Sequence, residues 1–117
     1  MSAAIHGILP IVYTPFDARG AIDEEDVRRL VNHLIASGVH GLSAVGGGSE
    51  AQKMSTDERQ WLAGVVIDEA RGRVPVIVGV SSASTEQSVE LARHAEASGA
   101  VAVFATPLAG AAELPAL

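Results

Sequence analysis

The sequence predicts an α/β protein built on a parallel sheet. Short apolar runs alternate regularly with amphipathic runs along the chain, and the amphipathic runs end at Gly38, Gly72 and Gly99, residues typical of helix ends. A weak internal repeat supports this division, because residues 36–42 resemble residues 97–103, two units later. The resulting order β-α-β-α-β-α-β favours parallel strands joined by right-handed crossovers, as in a barrel or a doubly wound sheet.

Four of the apolar runs have the length and composition of strands. The first ends at Thr14 and Pro15, and the third is apolar throughout, as expected for a parallel strand that is covered on both faces. The four predicted strands are residues 8–13, 41–45, 74–80 and 101–105.

The three helices between these strands have recognisable first turns. Asp23 can cap the first helix, with acidic residues following at its positive end. Ser55 with Glu58, and Ser84 with Gln87, both have the spacing of a capping box at the start of the second and third helices. The apolar stripe of the first helix consists of Val27, Leu30, Val31, Leu34 and Ile35.

Composition excludes several classes of protein. The 117 residues allow one domain, and 48% hydrophobic with 19% charged residues is typical of a folded protein. A net charge of −6 disfavours nucleic acid and anionic membranes as partners, and the lack of cysteine rules out disulfides and thiolate zinc sites. With no signal-like N-terminus and no long apolar run, we expect a cytoplasmic protein without a membrane partner.

The regular pattern stops near the C-terminus. Residues 1–106 form one predicted folded unit, whereas residues 107–117 are rich in alanine and lack a strand signal. We expect an irregular tail there, at the point where a fourth helix would begin.

Five segments stand out by their order and spacing. They are residues 7–16 (GILPIVYTPF), 36–42 (ASGVHGL), 44–50 (AVGGGSE), 55–59 (STDER) and 72–80 (GRVPVIVGV). Together they resemble the dihydrodipicolinate synthase / N-acetylneuraminate lyase family. The resemblance implies a parallel (β/α)8 barrel of the TIM type, of which residues 1–106 are the N-terminal half, with only about the first four strands and three helices.

The resemblance also implies a chemistry. In this family a pyruvate-type 2-keto acid forms a Schiff base with a lysine, and a carbon–carbon bond is then made or broken. Two threonines of the loop after the second strand bind the keto-acid carboxylate, and Gly47 and Gly48 stand at those positions here. We expect backbone N–H groups at Gly47 and Gly48, with Ser49 and the strand-end Thr14, to form the substrate-binding residues of a complete barrel. Glu50, after the loop, is expected to bond the loop backbone or the next helix start.

No catalytic residue is predicted in this chain. The family's imine lysine lies on the sixth strand, while the only lysine here, Lys53, belongs to a loop. Tyr13 does not match the family's relay tyrosines, and Leu108 and Ala109 stand where one of them would follow. The histidines lack metal-ligand spacing and the glycines lack a phosphate-binding pattern, so we expect no metal and no cofactor.

Two hypotheses therefore remain open. The chain is either a fragment of a Schiff-base lyase or aldolase, inactive alone because it lacks the imine lysine, or a non-catalytic half-barrel that associates through its open sheet edges. A small keto acid is the expected partner of a complete barrel, and self-association is expected of the half. An open nucleotide-binding sheet is disfavoured because no phosphate loop follows the first strand.

Overall fold

The structure, a computed structural model, describes residues 5–107 and contains three helices that alternate with three strands. The order of elements matches the predicted alternation. The helices are α1 (Glu24–Ala36), α2 (Thr56–Ala70) and α3 (Thr85–Ser98), and the strands are β1 (Leu42–Ala44), β2 (Val76–Gly79) and β3 (Ala102–Phe104).

The three strands form one parallel sheet in the order β1-β2-β3. Leu42 of β1 pairs with Val76 of β2, and Ile77 of β2 pairs with Ala102 of β3. The α/β class and the parallel sheet are thus confirmed, although each strand is shorter than predicted. Parallel pairing brings the carboxyl ends of all three strands to the same edge of the sheet, where the loops after β1 and β2 begin.

The predicted strand over residues 8–13 is wrong as a regular strand. The segment runs parallel to β1, since Ser43 N donates to Pro10 O and Val12 N donates to Ser43 O, both at 2.9 Å. The next rung would need an N–H on residue 10 directed at the carbonyl of Gly41, and proline has none. The described residues therefore hold three regular strands and one extended edge segment rather than four strands.

The predicted helix starts are confirmed, with one difference. The Asp23 side chain accepts from Asp26 N at 3.1 Å. Ser55 and Glu58 form a complete capping box, each side chain bonding the other residue's backbone N–H.

The third helix has only half of its predicted capping box. Ser84 Oγ accepts from Gln87 N at 3.2 Å, as expected. The Gln87 amide, however, donates to Thr56 Oγ1 at 2.9 Å instead of accepting from the Ser84 backbone. The first turn of α2 lies close enough to compete for this side chain, so a tertiary contact replaces a local one.

The core lies between the helices and the sheet. α1 packs against α2 and α2 against α3, and both α2 and α3 contact strands. Val27 and Val31 of α1, Leu42 of β1 and Val66 of α2 are fully buried. This apolar layer holds the strand ends in place. The predicted tail over residues 107–117 lies, apart from Pro107, outside the described residues.

A polar network joins α1 to α2 at the edge of this core. Glu69 is buried and accepts from Asn32 Nδ2 at 2.7 Å and from Arg28 Nη1 at 3.0 Å. The hydrogen bond from Asn32, followed by that from Arg28, lowers the pKa of the Glu69 carboxyl. A carboxylate that is stabilised in this way ties the two helices together while it is ionised.

We expect Glu69→Gln to flatten the pH dependence of stability in acid. Because folding lowers the pKa of Glu69, its ionised form stabilises the fold above the ordinary value of 4.5, and this contribution disappears as the pH falls through the lower folded value. Urea unfolding at a series of pH values should show wild type and variant converging on acidification. The control Glu25→Gln removes an 82% exposed carboxylate and should change little. A difference in the free energy of unfolding between Glu69→Gln and wild type that stays constant with pH would contradict the prediction.

Candidate functional site

The carboxyl ends of the strands are bounded by a glycine-rich loop that follows β1. Two consecutive 3₁₀ turns, Gly47–Ser49 and Ala51–Lys53, make up this loop. Val45 at its start has φ 59°, in the left-handed region that β-branched residues avoid. Backbone strain of this kind costs on the order of 1–3 kcal/mol and clusters at binding and catalytic sites.

Two buried hydroxyls attach the loop to the extended edge segment. Thr14 Oγ1 donates to Ser49 O at 2.6 Å, and Ser49 Oγ donates to Val12 O at 2.5 Å. Ser49 has no exposed surface and Thr14 is 7% exposed. The structure therefore brings two of the predicted site residues into direct contact, with both hydroxyls donating to backbone oxygens.

The other two predicted site residues, Gly47 and Gly48, are exposed. A Cβ at Gly47 would meet open space, whereas a Cβ at Gly48 would lie 3.0 Å from the side chain of Ile11. Both residues open a 3₁₀ turn, and the first N–H groups of such a turn have no acceptor inside it. The two amides are thus the groups of the loop best suited to bind an acceptor from outside.

A cavity of about 230 Å³ lies beside the loop at the strand ends. Among the described residues, Arg59 is the only charged one that lines it, and no carboxylate does. The remaining lining residues are Val45, Gly46, Gly47, Ala51, Gln52, Gly79, Ser81, Phe104 and Thr106.

Arg59 is a functional candidate that the sequence analysis missed. Its side chain, on α2, is buried, with 4% of the residue exposed. Nη1 donates to Ser81 O at 2.6 Å and Nη2 to Gly79 O at 3.2 Å, while Nε has no partner in the part of the chain that the structure describes. Burial lowers the pKa of this guanidinium from its ordinary value.

A signal for Arg59 was present in the sequence. Arg59 precedes Leu62, Ala63 and Val66 at i+3, i+4 and i+7, so it occupies a position on the buried stripe of its helix. A charged residue at such a position requires buried partners, and these were not visible in the sequence because they are carbonyls at the end of β2 and just after it.

Ser81 connects this arginine to the end of β3. Ser81 O accepts from Arg59, and Ser81 Oγ accepts from Thr106 N at 2.7 Å. The hydrogen bonds therefore run from α2 through the β2–α3 loop to the residues that follow β3, and they hold the far wall of the cavity.

The remaining chemically reactive side chains lie on the surface. Lys53 is 68% exposed and pairs with Glu50, whose Oε1 lies 2.9 Å from Nζ. Tyr13 is 68% exposed. Glu50 is predicted to bond backbone groups, but its carboxylate pairs with Lys53 instead. The left-handed backbone at Glu50 (φ 63°) is followed by a turn that places Lys53 within reach of the carboxylate.

Residues 5–107 contain neither a cluster of metal-ligand side chains nor a membrane-spanning helix. No group of three histidine, cysteine, aspartate or glutamate side chains there is arranged to hold a metal ion. None of the described helices has both the length and the apolar character needed to cross a bilayer.

The chain is similar in sequence and structure to several known proteins. A 4-hydroxy-tetrahydrodipicolinate synthase of Rhodopseudomonas palustris is 47% identical over 101 residues, which cover 86% of this chain and 34% of that protein. One from Brucella abortus is 44% identical over 100 residues, with the same coverage. YagE is an Escherichia coli K12 prophage protein of the dihydrodipicolinic acid synthase family, solved in complex with pyruvate. It matches with a TM-score of 0.84 and 35% identity, over 88% of this chain and 35% of its own.

The chain thus spans about a third of the length of these relatives. The sequence model of the dihydrodipicolinate synthetase family matches residues 4–108, which is nearly the whole chain. The chain therefore belongs to the dihydrodipicolinate synthetase family.

Proposed function

We propose that the chain is the N-terminal part of a Schiff-base lyase or aldolase that acts on pyruvate-type 2-keto acids within a (β/α)8 barrel. The observation that carries the proposal is the cavity at the carboxyl ends of the strands, bounded by the loop that contains Gly47 and Gly48. Barrel enzymes place their active sites at this end of the strands. The pyruvate bound to the relative YagE supports the substrate class.

In this proposal the glycine loop holds the keto-acid carboxylate. Gly47 and Gly48 are exposed, and their backbone N–H groups bind one carboxylate oxygen each, in place of hydroxyl donors. Ser49 and Thr14 support them from behind, since their buried hydroxyls hold the loop against the edge segment. Thr14 and Ser49 thus contribute to substrate binding through the position of the loop.

The chain alone supplies no imine lysine in this proposal. A Schiff-base lysine must reach the carbonyl carbon as a neutral amine, which usually requires apolar surroundings or a second cation. Lys53 has the opposite environment, because it is exposed and pairs with the carboxylate of Glu50. The nucleophile would belong to the part of the barrel that this chain does not contain.

Pyruvate with borohydride tests this assignment. We expect mass spectrometry of the 117-residue chain to show no reduced pyruvate adduct, because the ammonium of Lys53 is solvated and ion-paired. A full-length relative that carries the imine lysine serves as the positive control. An adduct that disappears in Lys53→Arg would contradict the claim that the nucleophile is missing.

The second candidate function is a non-catalytic half-barrel that associates through its sheet edges. It is favoured by apolar side chains exposed at both edges, with Ile8 67% exposed on the first segment and Val103 44% exposed on β3. Within the described residues β3 pairs only with β2, so its outer edge is free to pair with another strand. Light scattering on the same sample separates the two candidate functions. A discrete soluble dimer that forms no adduct with pyruvate would favour the non-catalytic half-barrel.

A further inference from the structure

The uncompensated charge of Arg59 suggests a role beyond packing. We propose that the Arg59 guanidinium supplies the positive charge that holds a 2-keto-acid carboxylate at the glycine loop. This inference rests on the proposed function and names the residue that gives the site its selectivity for an anion. Arg59 and Gly47 line the same cavity.

The hydrogen-bond partners of Arg59 among the described residues carry no negative charge. A buried guanidinium normally pairs with a carboxylate or phosphate, because its charge is otherwise costly to remove from water. Here the partners are two neutral carbonyls, of Gly79 and Ser81, and Nε has none among the described residues. The ion pairs of the described residues involve other arginines and Lys53, so within this part of the chain the charge of Arg59 has no counter-ion.

The residues that line the cavity also favour an anion there. Within residues 5–107, none of the lining residues is acidic, and Arg59 is the only cation among them. At Gly47 and Gly48 there is no side-chain donor, so at these two positions an incoming carboxylate meets only neutral amides. A nearby buried charge strengthens such a site, since charge-assisted contacts in a poorly solvated cavity are stronger than neutral ones.

A purely structural role for Arg59 makes a different prediction. The two carbonyl contacts anchor the end of β2 to α2, and their loss alone would lower stability without altering the preference for an anion. Ligand affinity in a folded variant, and discrimination between a charged and an uncharged ligand, therefore distinguish the two roles.

The test is a titration of the full chain with pyruvate, followed through the amide NMR signals of residues 46–48. We expect saturable shifts for wild type, binding weaker by about tenfold or more in Arg59→Met, and an intermediate affinity in Arg59→Lys, which keeps the charge. Arg93→Met removes an exposed arginine of α3 that does not line this cavity and should bind as wild type does. Pyruvamide, which lacks the carboxylate, should bind to wild type much more weakly than pyruvate.

The negative results of this titration overturn different claims. A folded Arg59→Met variant that binds pyruvate as tightly as wild type would overturn the role of Arg59 and leave the proposed function standing. If that variant does not fold, the affinities of the wild-type chain for pyruvate and pyruvamide provide the test. Equal affinities for the two ligands would overturn the inference. No saturable pyruvate shift in wild type would overturn both the inference and the assignment of a substrate loop to this chain.

Discussion

Replacing Gly79 with alanine is expected to destabilise the chain by about 1–3 kcal/mol, the usual cost of overpacking a filled interior. A Cβ at this position would lie 2.4 Å from the carbonyl oxygen of Val45 and 3.0 Å from the ring of Phe104. The carbonyl belongs to the strained residue that starts the glycine loop, so it has little freedom to withdraw. The carboxyl ends of β1 and β2 would have to separate, which would also disturb the cavity. Urea unfolding measures the loss.

Gly64→Ala is the matched control for this change. Gly64 lies inside α2, and a Cβ there meets nothing within 4 Å. Alanine should therefore stabilise the chain by roughly 0.5–1 kcal/mol, because it restricts the unfolded chain and favours the helix. Equal effects of the two substitutions would show that the approach of Val45 O does not constrain position 79.

Ser49→Ala is expected to cost about 1–3 kcal/mol, since it leaves a buried carbonyl without its donor. Ser49 Oγ donates to Val12 O at 2.5 Å, and the side chain is fully buried, so water cannot replace the lost contact. The change also loosens the glycine loop from the edge segment. Thermal unfolding together with amide exchange at residues 46–49 should show both effects.

Ser37→Ala provides the comparison for a hydroxyl at the surface. Ser37 Oγ also donates to a backbone oxygen, His33 O at 2.8 Å, but this residue is exposed. Water can satisfy the carbonyl in the variant, and we expect a change within about 0.5 kcal/mol. A loss at Ser49 as small as that at Ser37 would contradict the proposed attachment of the loop.

The helices were predictable because their signals are local. The caps at Asp23 and Ser55 involve residues three positions apart, and both formed as predicted. The half-formed box at Ser84 marks the limit of such local prediction, because Gln87 found a partner on another helix. A glutamine side chain is long enough to reach either a local or a distant hydrogen-bond partner, and only the packed structure shows which bond forms.

The first strand shows a different limit. Its apolar run predicts a strand, and the segment does lie parallel to β1, but Pro10 interrupts the ladder, so no regular strand forms. The proline was visible in the sequence. The sequence did not show that the ladder needs the N–H of this particular residue. That depends on the register of the segment against β1, which is a long-range property.

The candidate site divides in the same way. The sequence by itself determined the α/β alternation, the helix boundaries and the position of the glycine loop after a strand, since these follow from periodicity, caps and turn residues close together in the chain. Only the tertiary structure decided that Thr14 supports Ser49, that Gly79 must lack a side chain, and that Arg59 lines the cavity with no carboxylate partner in the described part of the chain. Each of these depends on groups from distant segments meeting at the strand ends, and neither sequence spacing nor composition encodes the distance between them.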